Sequence, residues 1–285
     1  MKELDFIKII KDTTSAEYIG DDCAYLKEFG IVVTQDNFVE DVHFKRKWTS
    51  PYQIGYKATV VNISDILAAG AKPKYLSIGL SLPKDINNEF IKDLYKGILT
   101  ASHGAKIIGG DITGADKIFI SITAIGTTKG RKISSRSSAK VGDKVIISGK
   151  HGLSSAGLNE LFTNGNNETL IKVHLEPKLD LSFSEQISKN IKREYAMMDT
   201  SDGLADALFK IAQASNMTIK TKLIEGMYCS EDYKLIACVP PKTLRHIDNY
   251  IEIGEVINFN GAYLEIDNKK IFNYDELGLY DHFGE

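Results

Sequence analysis

Cysteine is scarce in this sequence: three residues in 285, Cys23, Cys229 and Cys238, and no two of them form a CxxC pair. That excludes a thiolate zinc site or a CxxC redox motif, and a sparse, odd count suits a reducing compartment. Long apolar runs are missing as well. No segment reaches membrane-spanning length, and the opening residues alternate charge with apolar side chains instead of forming a signal-peptide core. A basic excess is absent: 35 Lys and Arg against 38 Asp and Glu give a net charge of -3. A nucleic-acid partner would call for a basic face, so none is expected. There is no GxxxxGK loop followed by Ser or Thr, and no HRD and DFG pair, which excludes P-loop and protein-kinase chemistry. What remains is the composition of a soluble cytoplasmic enzyme, 43% hydrophobic and 26% charged, long enough to bury a substantial core.

Periodicity places the elements. Residues 4–10 read as a short amphipathic helix, and residues 23–26 and 31–34 as short strands. Residues 52–69, entered at Pro51, carry helical apolar spacing through Ile54, Ala58, Val61 and Ile66. Leu76, Ile78, Leu80 and Leu82 alternate with Ser77, Gly79 and Ser81, as in a half-buried strand, and residues 87–102 form the clearest helical stripe. Strands are predicted at 106–108 and 118–125, then at 144–148, 196–198, 233–239 and 251–256, with helices at 153–162 and 204–214. The polar, serine-rich residues 130–141 mark a domain boundary, giving units 1–140 and 141–285. Strands and helices mix in both units, so the class is α/β or α+β.

The chemistry sits in aspartates among small residues: Gly20-Asp21-Asp22, Gln35-Asp36-Asn37, Ser64-Asp65, Gly109-Gly110-Asp111 and Asp199-Thr200-Ser201-Asp202-Gly203. Asp36, Asp111 and Asp199 follow strand-like runs, which would project them at a sheet edge where ligands bind in α/β folds. Neighbouring glycines let backbone amides approach phosphate oxygens. Scattered carboxylates, in place of one dense loop, suit several Mg2+ ions on a polyphosphate. Each motif also has an ordinary reading. Gly-Asp pairs form turns, and Asp199 or Ser201 could simply cap the helix starting near Gly203. Asp65 differs, because it lies in a charge-poor helical pattern beside Ile63 and Ile66. His43 alone supports nothing. Arg131 and Arg136 are either part of a solvated connector or a cationic arm toward phosphates.

In order, the strings IGDDCAYL, TQDNFVEDVHF, GYKATVVNISDILAAGAKP, IIGGDIT, SAKVGDKVIISG, MDTSDGL, SEDYKL and YDHF resemble the thiamine-monophosphate kinases, relatives of aminoimidazole ribonucleotide synthetase. The resemblance runs from Gly20 to Phe283. It implies an N-terminal α/β domain whose strands pair across a homodimer, and a C-terminal α/β domain with a mixed sheet. By the same resemblance Asp22, Thr34, Gln35, Asp36, Asp65, Asp111, Asp199 and Asp202 hold Mg2+, with Asp36, Asp65 and Asp111 nearest the chemistry. Gly110, Asp111, Arg136 and Ser201 contact ATP, the co-substrate, and His43, Glu231 and Tyr280 contact thiamine monophosphate. Three departures stand out: Cys229-Ser230-Glu231-Asp232 in place of GGED, a short 215–229 segment, and Gln35 in place of a hydroxyl residue.

The implied reaction is direct, in-line phosphoryl transfer to an oxygen that is already anionic, so no strong base is required. The difficulty is electrostatic: like unit charges about 4 Å apart repel by about 4 kcal/mol at an effective dielectric near 20. Mg2+ would offset that repulsion. The alternatives are another ATP-using enzyme of the same superfamily, or a non-catalytic relative that only binds nucleotide or thiamine phosphate.

Overall fold

The computed structural model describes residues 3–279. Helix α1 (Glu3–Thr14) leads into a hairpin of β1 (Ala24–Leu26) and β2 (Ile31–Val39). Helix α2 (Pro51–Ala68), β3 (Lys72–Leu82), α3 (Asn88–Ala101), β4 (Lys106–Gly114) and β5 (Phe119–Thr127) follow. The first sheet has the order β1-β2-β5-β3-β4, antiparallel except for the β3–β4 pair. The second half supplies β6 (Lys144–Ile147), α4 (Leu153–Thr163), α5 (Glu168–Leu175), α6 (Leu181–Asn190), β7 (Ala196–Asp199) and α7 (Leu204–Ser215). It ends with β8 (Met217–Thr221), β9 (Leu235–Val239), β10 (Ile251–Asn258), β11 (Leu264–Ile266) and β12 (Lys269–Ile271). Its seven-stranded sheet runs β12-β11-β8-β10-β6-β9-β7, with β8 and β11 parallel, so both sheets are mixed.

Helix α2 is the centre of the molecule. Ser50 caps it in a reciprocal capping box with Gln53, and Pro51 fills its first turn. It is buried on nearly every side, and Ile54, Ile63, Ile66 and Leu67 join one core cluster with Val32 and Ile122 of the first sheet and Met197 and Leu235 of the second. A helix buried all round reads as apolar all round. Its contact with α3 is close because two glycines permit it. A Cβ on Gly55 would lie 2.0 Å from the Leu94 carbonyl oxygen, and one on Gly97 would lie 1.9 Å from that of Tyr52. From the second half, the Ser184 hydroxyl donates to the Leu67 carbonyl at 2.6 Å and tethers α6 to the last turn of α2.

Two strands are longer than their alternation suggests. β2 continues to Val39 and β4 to Gly114, so Asp36 and Asp111 lie within strands and not beyond them. The cause is pairing: β2 matches β5 along its whole length, from Ile31 opposite Thr127 to Val39 opposite Phe119. That register outweighs the weak strand preference of Asp and Asn. Helices α5 and α6 and strands β8, β11 and β12 occupy stretches where periodicity gave no signal.

Candidate active site

The carboxylates converge from four elements. Asp65 lies on α2, Asp199 ends β7, Asp36 is on the α2-facing side of β2, and Asp22 precedes β1. Ligand oxygens of Asp22, Asp65 and Asp199 all lie within 4.8 Å of one another. Thr34 Oγ1 donates to Asp65 Oδ2 at 2.6 Å, and the Asp36 amide donates to Asn62 Oδ1 at 3.1 Å, which caps β2 where β1 no longer pairs with it. Ser64, next to Asp65, donates to Asp199 Oδ2. The Ser201 hydroxyl donates to Asp199 Oδ1 at 3.2 Å. Asp199 therefore does not cap α7, whose N-cap is Gly203 without any side-chain bond.

The cluster is electrostatically loaded. Burial, then the Asp22 charge, pushes the Asp199 carboxyl up to about 7. Burial followed by Asp36 and Asp199 raises Asp65 far above the usual carboxylate range. Asp22 and Asp36 are raised too, chiefly by burial. Asp36 shares a hydrogen bond with Asp65, while Asp36 Oδ2 is buried without a partner. Carboxylates that crowd together, keep protons and leave an oxygen unsatisfied suit a divalent cation. Two cations reach the cluster: Arg136, whose Nη2 bonds Asp22 Oδ1 at 2.7 Å, and Lys210, whose Nζ lies 3.1 Å from Asp202 Oδ2. Arg131 instead turns into the interior toward Glu185 and Ser188, so the serine-rich connector is packed and not a solvated linker.

A cleft of about 630 Å³ starts at this cluster. Asp36, Asp65, Asp199, Ser201 and Asp202 line it. So do Trp48, Phe162, Leu158, Leu161 and Phe44, with Trp48 and Phe162 edge to face at 5.1 Å and Lys45 Nζ 5.3 Å from the Trp48 ring. His43 lines the cleft, accepts from the Val39 amide at 3.0 Å and stacks on Phe38. Glu231 also lines it.

Of the residues expected at the site, Asp22, Thr34, Asp36, Asp65, Asp199, Ser201 and Asp202 come together here, as do Arg136, His43 and Glu231. Gln35 points to the opposite face of its sheet, where it bonds Ser121 and Thr123. Asp111 shares that face: the register runs from Asp111 through Gly79 and Ser121 to Asn37. It lies exposed on an edge strand, apart from the other aspartates of its own chain. Gly110 packs against Ile78, where a Cβ would lie 1.8 Å from the carbonyl oxygen. Tyr280 lies outside the described residues. Sequence reasoning missed Lys57, Ser64, His174, Trp48 and Phe162. The one available signal was Lys57, eight residues before Asp65 and so on the same stripe of a charge-poor helix.

Residues 20–128 match the family described as AIR synthase related protein, N-terminal domain. A thiamine-monophosphate kinase of Bacillus subtilis is 39% identical over 222 residues, covering 73% of this chain and 67% of that protein. One from Aquifex aeolicus is 30% identical over 299 residues, covering 94% and 95%. The structure of AaThiL complexed with AMPPCP and TMP superposes with a TM-score of 0.88 at 30% identity, covering 99% of this chain and 97% of that one. With relatives this similar over nearly its full length, and with the acidic cleft in place, the chain belongs to the thiamine-monophosphate kinase family.

Proposed function

We propose that this cleft transfers the γ-phosphoryl group of ATP to the phosphate of thiamine monophosphate, giving thiamine diphosphate and ADP. The observation that carries the reading is the trio Asp22, Asp65 and Asp199, of which Asp65 and Asp199 line a cleft that also carries the aromatic rings of Trp48 and Phe162. The acids suit a cation-bound polyphosphate, and the aromatic rings suit a flat heterocycle. AaThiL, bound to an ATP analogue and TMP, has the same fold.

Asp36, Asp65 and Asp199, with Asp22 and Asp202, would hold Mg2+, and Thr34 fixes the Asp65 carboxylate through its hydroxyl. Bound there, Mg2+ supplies the positive charge that lets two polyanions meet. The protein's own part is positioning. An oxygen of the acceptor phosphate, already anionic at neutral pH, forms the new bond to the γ-phosphorus as the bond to the β-bridging oxygen breaks. No side chain needs to remove a proton, and the Cys23 thiol beside the cluster, which donates to the Asp65 carbonyl at 3.4 Å, is held protonated by burial and by Asp65. Arg136 holds Asp22 and lies where a nucleotide phosphate would pass, and Ser201 lies beside Asp199. We read Asp111 and Gly110 as contributing at the β4 edge of a homodimer, with residues 1–140 and 141–285 as the two domains. Among the described residues no helix is long and apolar enough to cross a membrane; that the enzyme works in the cytoplasm is part of the proposal. Incubation with ATP, Mg2+ and thiamine monophosphate should yield thiamine diphosphate and ADP in equal amounts by chromatography. ADP and free phosphate without thiamine diphosphate would end this reading.

A further inference from the structure

Lys57 is an ammonium on the inner face of α2, 2% exposed, and the reaction above gives it no task. Lysine is almost never buried so fully without a partner. Its Nζ lies 3.2 Å from Glu231 Oε1 and 3.3 Å from His174 Nε2. The other nitrogen of that imidazole, Nδ1, is 3.0 Å from Ser154 Oγ. Burial and then Lys57 push His174 down to about 4, so the ring is neutral. It therefore accepts from Lys57 on Nε2 and donates from Nδ1 to Ser154. Three elements thus meet at one carboxylate: α2 through Lys57, α5 through His174, and the loop before β9 through Glu231.

That loop is held under constraint. Glu231 and Tyr233 both adopt positive φ, 63° and 49°. The Glu231 amide donates to the Ser201 carbonyl at 2.7 Å, and Asp232 accepts from the Gly152 and Ser154 amides at the start of α4. Backbone strain of this kind persists where surroundings over-determine it, and it gathers at functional sites. The result is one carboxylate fixed in the wall of the cleft that the aspartates and the aromatic rings also line.

We propose that Lys57, braced by His174, is a positioning residue that keeps Glu231 ionised and aimed into the cleft, where Glu231 selects an acceptor whose ring carries a fixed positive charge. The idea rests on the phosphoryl-transfer reading and adds to it the origin of acceptor selectivity. Lys57 touches neither the reacting phosphates nor the metal-binding aspartates. It acts through Glu231. Burial alone would raise the Glu231 carboxyl, but the Lys57 ammonium outweighs it and holds it below its usual value, with the His174 and His43 imidazoles close by. Besides these three groups, Tyr233 from the same loop faces Glu231.

The test is the pH profile of the acceptor KM in Lys57→Met. Wild-type enzyme should show a flat acceptor KM between about pH 6 and 8, with Glu231 ionised throughout. In K57M the buried carboxyl has lost its cation, so it should take up a proton in that range. Its acceptor KM should rise about tenfold from pH 8 to pH 6, while kcat and the ATP KM stay within about threefold. K57R should restore the flat profile, and K57M/E231Q should be flat with a raised KM. His43 is present in every variant and drops out of the comparison. A purely structural brace would raise KM equally at all pH values or lower kcat, and either result would overturn the proposal. Should K57M fail to fold, Glu231→Gln carries the test. It should cut the preference for thiamine monophosphate over thiochrome monophosphate, whose ring system has no fixed charge, by about 10-fold or more. An unchanged preference overturns the proposal. Failure of wild-type enzyme to make thiamine diphosphate would instead overturn the kinase reading itself.

Discussion

The Ser64 hydroxyl donates to the Asp199 carboxylate across 135 residues of sequence, joining the middle of α2 to the end of β7. Because Asp65 is the next residue on α2, this bond also brings the Asp65 carboxylate against Asp199 and Asp22. Packing alone would not favour three buried acids at one point. The core that surrounds α2 supplies the stability that offsets their repulsion.

Removing one acid should therefore separate stability from activity. Asp65→Asn keeps an acceptor for the Thr34 hydroxyl but removes a buried carboxyl that must either hold its proton or repel Asp36 and Asp199. Measured with EDTA at pH 8, its melting temperature should exceed wild type by about 2–4 °C, the equivalent of roughly 1 kcal/mol. Its turnover should fall about 100-fold or more, and the stabilisation that Mg2+ gives wild type should largely vanish. A variant less stable than wild type in EDTA would mean the carboxylates are not in conflict.

The raised Asp199 value fixes the sign of a pH effect. In the unfolded chain an aspartate ionises near pH 4, at about its model value. In the fold Asp199 does so at about 7. Between these values the folded protein holds a proton that the unfolded chain has lost. Its stabilising contribution is complete below about pH 4 and is lost as pH rises through about 7. Compared with Asp199→Asn in EDTA, wild type should melt at nearly the same temperature at about pH 4 and several degrees lower at pH 8. Adding Mg2+ at pH 8 should close that gap. Parallel melting curves across the range would contradict the burial of Asp199 beside Asp22.

The acids themselves were readable in the sequence because they stand among small or polar residues, as Asp22 and Asp36 do, or in a charge-poor helix, as Asp65 does. Their convergence was not, since it depends on how α2 packs between two sheets. Alternation found Leu76 to Leu82 readily. It stopped β2 at Thr34, because Gln35, Asp36 and Asn37 break the pattern and only the partner strand β5 compensates. Lys57 was passed over for a similar reason: its partners lie 117 residues away at His174 and further still at Glu231. The resemblance to a kinase family supplied what local physics could not, an expectation for Arg136 and His43.

Arg136 offers a prediction with two readouts. Its backbone is tied independently, the amide donating to Asp21 Oδ1 at 2.7 Å and the carbonyl accepting from Ser215 Oγ at 2.7 Å. Arg136→Met therefore removes only the guanidinium and leaves Asp22 without its cation. Breaking a largely buried pair from one side costs about 3 kcal/mol. In metal-free buffer R136M should lose roughly that much in urea unfolding, and Mg2+ should recover part of it by replacing the lost charge at Asp22. The ATP KM should rise about tenfold or more, with the acceptor KM little changed. R136K should recover most of the stability and less of the ATP affinity, because an ammonium lacks the planar fork. A rise in the acceptor KM alone would move Arg136 away from the nucleotide.

The β4 edge carries the last prediction. β4 ends the first sheet with one side unpaired among the described strands, and Ile108 and Ile112 are 57% and 67% exposed there. An exposed, flat, apolar edge invites strand pairing, and monomers usually blunt such edges with charge or proline. β4 has neither along its free run of Ile108, Gly109, Gly110, Asp111 and Ile112 apart from Asp111 itself. A second copy of the chain is the cover we propose. Sedimentation equilibrium at micromolar concentration should give a dimer mass for wild type and a monomer mass for Ile112→Lys, with the melting temperature of the variant lowered. Asp111 sits one residue from Ile112 and turns away from the aspartates of its own chain, so its contribution should depend on that assembly. Turnover of I112K should then fall toward that of Asp111→Asn. A fully active I112K monomer would place Asp111 outside the catalytic machinery.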